Sequence, residues 1–261
     1  MNNTLKIIYS SCLLQMKQSF SRSMFRFSII AYPILFSWTM YLIYKGQDNS
    51  MLVSYVMLGT AVASMWGSIS FSSAGDIDRE RFMGALEVIF CCPAKFSTIM
   101  LGKVIGNTIL GFFSMVLSFV FVIVFLKVRF TIAHPFYFSL SIAISMVSLV
   151  LVAMLLSALL AISRSTRVIM NSIEYPVLIF CGTVFPIDIL PLWTRPISFA
   201  LSPTYILKLC RASIVGISDF NAFYAYLYGL ITITFIYYAL YKLFYIVIDV
   251  KARKEATLEV V

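Results

Sequence analysis

Groups able to do acid–base or metal chemistry are scarce in this sequence. Asp and Glu together number 11, and His134 is the single histidine. One histidine, set between Ala133 and Pro135, cannot supply a multi-histidine metal site. General acid–base work would also need an oriented partner, so His134 is read as a loop residue. No G-x-x-x-x-G-K-[S/T] run offers backbone amides to a nucleotide's phosphates. Gly102-Lys103 is followed by Val104 and opens an apolar run, where Lys103 is expected to snorkel to the inner headgroups. The five cysteines, Cys12, Cys91, Cys92, Cys181 and Cys210, fit no zinc spacing. Adjacent Cys91 and Cys92, expected on the reducing side, read as small apolar residues. The opening residues, MNNTLKIIYSSC, have no apolar core ending in a small-residue cleavage site, so no cleaved leader is expected.

Apolar residues are what the chain has in excess. It is 61% hydrophobic and only 12% charged, with mean hydropathy +0.95, which excludes a soluble domain and leaves an all-α integral membrane protein. A spanning helix needs about 20 mostly apolar residues. Six runs qualify: Phe27 to Tyr44, Met51 to Gly75, Val104 to Leu126, Phe136 to Ile162, Val168 to Val184 and Ala222 to Ile248. The fifth is short and interrupted by Glu174 and Pro176.

Basic residues set the orientation, because short basic loops stay cytoplasmic. With six spans and the amino terminus inside, the inner side holds 14 of the 20 Lys and Arg, from Lys6, Lys17, Arg22 and Arg26 through Arg79, Arg81, Lys95, Lys103, Arg164 and Arg167 to Lys242, Lys251, Arg253 and Lys254. The outer side keeps Lys45, Lys127, Arg129, Arg195, Lys208 and Arg211. Both termini are therefore expected in the cytoplasm, and the net charge of +9 reflects topology. Scattered over loops, these cations form no single face for nucleic acid.

Four segments stand out. Before the first span, Leu5, Ile8, Tyr9, Cys12, Leu13, Met16 and Phe20 recur at helical spacing, with Thr4 as a cap. An amphipathic interfacial helix within residues 1–26 follows, although an extension of the first span is the plainer alternative. Asp76 to Lys103 is the one densely charged interval, and such charge must sit in water or against a partner. Within it, acids at Asp76, Asp78 and Glu80, then Phe82 or Met83, Leu86, and Ile89 or Phe90, predict a short helix parallel to the membrane, ended by Pro93. Between spans five and six, residues 185–216, Pro186, Pro191, Pro196 and Pro203 exclude a straight span and predict short re-entrant helices. Glu174 is an acid inside a span, facing a translocation path or a cationic head group, or paired with Arg164 or Arg167. Ala63, Gly67, Ser64, Ser68 and Ser72 mark span two for close packing.

Arg79, Glu80, Arg81, then Gly84, Leu86, Glu87, then Pro93, and finally Leu101, Gly102 and Lys103 resemble the cytoplasmic loop of ABC-2 type transporter permeases, where an RERGTLE-like run precedes a proline and a GK. FPIDILPLWTRPISFALSPTYILKLCRA, Phe185 to Ala212, is similar to that family's extracellular FP…LP…NP.TY…R segment. Met83 and Ala85 depart from the common loop pattern, and Ser202 stands where the family often has Asn. The resemblance implies one permease domain over residues 1–261, with a cytoplasmic loop at 76–103 and a cytoplasmic tail at 249–261. It implies a multi-pass subunit of the plasma (inner) membrane that pairs with a second permease copy or a related one. Two soluble ATPase subunits would bind the ATP and Mg, so no cofactor is expected in this chain. On the same correspondence Asp76, Arg79, Glu80, Arg81, Gly84, Leu86, Glu87 and Pro93 would couple to the ATPase, while Phe185, Pro186 and Pro191 would form an outer gate. Export of an amphiphilic drug or toxin, a lipid or a lipid-linked polysaccharide is the function implied. An ion-coupled carrier or channel is the alternative, and no convincing inverted repeat supports it.

Overall fold

The computed structural model describes residues 3–85, 88–89, 92–128, 131–162, 166–217 and 219–255, and their side chains apart from those of 3, 71–75, 78, 162, 166, 167, 169–171 and 247–255. All regular structure among the described residues is helical. Helix α1 (Asn3–Ser21) starts one residue before the expected cap, so Thr4 lies in its first turn. Arg22, with an extended backbone (φ −85°, ψ 124°), separates it from α2 (Ser23–Tyr44). Helix α3 opens with Asn49–Met51, passes through a π-helical stretch, Leu52–Gly59, and continues as Thr60–Phe82. Then come α4 (Phe96–Val124), α5 (Pro135–Ile162) and α6 (Thr166–Phe180). The outer segment holds two 3-10 turns, Ile187–Ile189 and Leu192–Thr194, and two short helices, α7 (Arg195–Phe199) and α8 (Ser202–Val215). Helix α9 (Phe220–Glu255) closes the order.

Among the described residues, five helices are long and apolar enough to cross a membrane: Ser23–Tyr44, Asn49–Ser70, Phe96–Val124, Pro135–Ala161 and Phe220–Ile246. The expected fifth run is α6, whose 15 residues reach about 22 Å at 1.5 Å per residue, less than the ~30 Å hydrocarbon core. Pro176 does not break α6; the chain instead turns at Cys181 and Gly182, the latter with φ +76°.

Helix α3 is the axis of the bundle. Its spanning window is 89% buried, against 22% for α2 and 17% for α9, so the outward side chains of those two helices, such as Trp38, Leu42, Phe235 and Ile236, suit lipid contact. Small residues let α3 sit so deep. Ala61, Ala63, Ser64 and Ser68 are fully buried, and the Ser64 and Ser68 hydroxyls donate back to the Thr60 and Ser64 carbonyls at 2.7 and 2.8 Å. A triangle of buried hydroxyls, Ser37, Thr60 and Ser118, with edges of 2.9 to 3.1 Å, ties α2, α3 and α4 together.

Helix α1 lies against α4 at two glycines. A Cβ on Gly102 would approach the Ile8 carbonyl oxygen to 2.6 Å, and one on Gly106 the Cys12 carbonyl oxygen to 2.9 Å. The two backbones meet there because no side chain separates them. Leu5, Tyr9, Leu13 and Phe20 remain exposed, while Gln15 and Ser19 turn inward.

Candidate functional site at the charged end of the central helix

The charged interval is organised differently from the sequence expectation. Asp76 does not begin a separate helix: residues 76–82 are the last turns of α3, and helical backbone resumes after the turn at Ala85, Val88 and Ile89, while Phe90 lies outside the described residues. The helix stops at Met83 and Gly84, where φ is +68°, a left-handed conformation open to glycine. Arg79 and Arg81 stand in the last turn, next to the negative end of the helix dipole. Tertiary ion pairs hold the extra turns in place. Asp76, 4% exposed, accepts from Arg22 Nη2 at 2.6 Å and from Asn107 Nδ2 at 3.0 Å, and Gln15 Nε2 donates to the same carboxylate. Gln15 also donates to Asn107 Oδ1 and Ser19 Oγ, both at 3.0 Å. Thus α1, the α1–α2 joint, α3 and α4 share one polar knot.

One turn further on, Glu80 pairs with Lys103 of α4. Lys103 is 7% exposed, so it does not snorkel to the headgroups; a buried carboxylate competes better than lipid for its ammonium. Arg81 Nη2 donates to the Leu160 and Ala161 carbonyl oxygens at 3.1 and 2.9 Å. Those oxygens belong to the end of α5, where helix carbonyls lack intrahelical donors. Beyond these ties the chain protrudes: Phe82 is 91% exposed, the adjacent Met83 is exposed, and so is Val88 six residues on. Pro93 is exposed before α4, and Arg79 is half-buried. Leu86 and Glu87 lie outside the described residues.

The structure therefore brings Asp76, Glu80 and Arg81 into one assembly with Arg22, Lys103, Gln15 and Asn107. Sequence reasoning missed Gln15, Ser19 and Asn107, although each is a polar residue at a helical position in an apolar run, and that was the available signal.

The outer candidates lie elsewhere. Phe185 and Pro186 are half-buried and Pro191 is exposed. The cross-link here is Arg211 of α8, whose Nη2 donates to the Gly182 carbonyl at 2.7 Å and whose Nε donates to the Ser54 carbonyl at 3.3 Å. Its guanidinium stacks 4.4 Å over the Tyr55 ring, which stacks in turn on Tyr44 at 5.1 Å. The Tyr44 hydroxyl donates to the Val184 carbonyl at 2.7 Å. Burial pulls the Arg211 pKa below its ordinary value, and the two phenols oppose that shift. A Cβ on Gly59 would collide with the Thr183 carbonyl oxygen, so the π-helical stretch and the turn after α6 are in direct backbone contact. His134 donates its backbone N–H to the Ser213 carbonyl at 3.0 Å, in keeping with a loop role. Glu174, half-buried in α6, has its carboxylate near Gly67 and Tyr32.

Apolar helices packed around a buried central one, with the buried ion pairs among the described residues gathered at the Asp76–Phe82 end of that helix, define a multi-pass membrane protein. The sequence model of the ABC-2 type transporter family matches residues 4–215. The chain belongs to that family and is a membrane transport subunit. The match runs from α1 through the inner charged turns to the end of α8. Permeases of this family work with ATPase subunits. No individually curated protein matches the chain.

Proposed function

We propose that the chain is the permease of an ATP-driven exporter, coupled to soluble ATPase subunits through the turn after α3. The observation that carries this reading is mechanical. The inner end of α3 bears the residues that resemble the family's loop motif, and it is tied to α1 and Arg22 through Asp76, to α4 through Glu80, and to α5 through Arg81. Force applied at the protruding Phe82 and Met83 would reach four neighbouring segments through charged contacts, which are directional and costly to break when buried. Helix α6 and the turn after it serve as a short sixth crossing, which puts both termini in the cytoplasm and agrees with the bias of basic residues. Two such permeases pair in the inner membrane, the partners hold ATP and Mg, and the cargo is an amphiphilic drug or toxin, a lipid or a lipid-linked polysaccharide. Arg79, Gly84, Leu86, Glu87 and Pro93 belong to the docking surface, and Phe185, Pro186 and Pro191 to an outer gate.

Co-purification in mild detergent tests the coupling. The native chain is expected to recover a stoichiometric ATPase. Phe82→Glu should lower that recovery at least tenfold with an unchanged melting temperature, because a fully exposed side chain contributes little to folding. Glu87→Arg should act in the same direction. If ATPase recovery is the same for both variants, the docking assignment fails. Transport that survives ATP depletion and follows an ion gradient would overturn the exporter reading itself.

A further inference from the structure

Helices α2, α3 and α6 converge on one point at Gly67. A Cβ added there would lie 3.7 Å from Glu174 Oε1 and 3.7 Å from Tyr32 Cε1. A carboxylate and an aromatic ring therefore flank the same bare patch of α3 backbone. Tyr32 stacks on Phe36 of the same helix, with centroids 5.6 Å apart and planes 6° from parallel, extending the aromatic face. Gly67 itself is buried, whereas Glu174, Tyr32 and Phe36 are half-buried, so the carboxylate and the rings cover the glycine and keep part of their surface open. On α6, Ile173 and Val177, on either side of Glu174 in sequence, pack into the apolar core.

Among the described residues Glu174 makes no hydrogen bond or ion pair. Arg164 and the Arg167 side chain lie outside those described. Among the described residues no cation faces this carboxylate, and a carboxylate among apolar helices is costly unless it takes up a proton or something positive comes to it. A hard metal ion would want six or more oxygens, and one carboxylate beside a phenol ring does not provide them. An ammonium group needs only a negative partner and an aromatic face.

We propose that Glu174, Tyr32 and Gly67 form a subsite for an alkylammonium group, the positive head of an amphiphile whose tail remains among apolar side chains or lipid. The assignment deepens the exporter reading and rests on it only for calling the amphiphile cargo. The same head group is carried by soluble cationic amphiphiles and by ethanolamine or choline lipids.

The test uses the purified full chain in lipid nanodiscs, with radiolabelled dodecyltrimethylammonium as probe and excess unlabelled probe defining specific binding. Saturable binding is expected, weakened at least tenfold in Glu174→Gln and in Gly67→Leu, within threefold of native in Glu174→Asp, and not displaced by dodecanol. Gly67→Ala adds a methyl at ordinary contact distance and should fold normally, so it keeps the test open if the larger side chain does not; a smaller loss of affinity is expected from it. Equal binding by the native chain and Glu174→Gln, or displacement by dodecanol, overturns the subsite. Native mass spectrometry separates the sources: phosphatidylethanolamine retained by the native chain and lost in Glu174→Gln identifies a lipid head, whereas probe binding with no retained lipid identifies a soluble amphiphile. ATPase co-purification is read on the same preparation. Probe binding lost with the ATPase still recovered removes the ammonium assignment alone; binding kept without any ATPase removes the exporter reading alone.

Discussion

Asp76→Ala should lower the apparent melting temperature by about 6–12 °C, and the figure follows from what the carboxylate touches. Its side chain is 5% exposed and lies 2.6 Å from Arg22 Nη2, whose side chain is 22% exposed. It also accepts from Asn107 at 3.0 Å and from Gln15. Removing one member of a buried pair costs about 3–5 kcal/mol, because the other charge is left uncompensated. Partial hydration of Arg22 moves the cost to the lower end, about 3 kcal/mol. At about 2–4 °C per kcal/mol for a chain of this size, the shift is about 6–12 °C. Asp76→Asn keeps an acceptor for the two amides and should lose about half as much. The assay is thermal melting by tryptophan fluorescence in nanodiscs, run on Asp76→Ala, Arg22→Ala and the double variant. Because the two residues share one contact, the double variant should fall short of the summed losses by about 1.5 kcal/mol or more. A shift below about 2 °C, or simple additivity, would refute the claim that this pair holds the inner end together.

Two further substitutions probe the packing on either side of the bundle. Gly102→Ala would set a methyl 2.6 Å from the Ile8 carbonyl oxygen, so α1 must shift off α4 at a cost of about 1–3 kcal/mol. Faster proteolysis at the α1–α2 joint reports this, and unchanged cleavage and melting would contradict the docking. Arg211→Ala removes the charged donors to the Gly182 and Ser54 carbonyls, at about 1.5–3 kcal/mol. Lysine cannot reproduce the planar two-sided contact, so Arg211→Lys should recover less than half of the melting shift; full recovery would mean that the fork geometry is irrelevant. The docking variants at Phe82 and Glu87 and the binding variants at Glu174 and Gly67 complete the set.

The extent to which sequence anticipated structure differs between the two ends of α3. Span positions were legible because transfer of an apolar run out of water is a local sum over residues. Helix ends came within a few residues for α2 and α5, while α9 begins two residues before the expected run and continues seven residues past it. The charged run was also legible as a special place, and its likeness to the family's loop lay in the residues themselves. Its geometry was not. The local pattern of acids followed by an apolar stripe predicts a new helix at Asp76, whereas the acids prolong α3 to Phe82 and helical backbone resumes only at Ala85, after the turn.

The sequence alone settled that this is a helical membrane protein, which stretches are apolar enough to span, and where charge gathers, since each depends on composition within a short window. Tertiary structure decided what the charges do. Asp76 reaches Arg22, 54 residues earlier, and Asn107, 31 residues later, while Arg81 reaches the end of α5, 79 and 80 residues on. Glu174 meets Tyr32 across Gly67 only because three helices cross there. Whether a charge is solvated, paired or left waiting for a ligand depends on what packing brings within a few ångströms, and that distance is not a property of any one segment of chain.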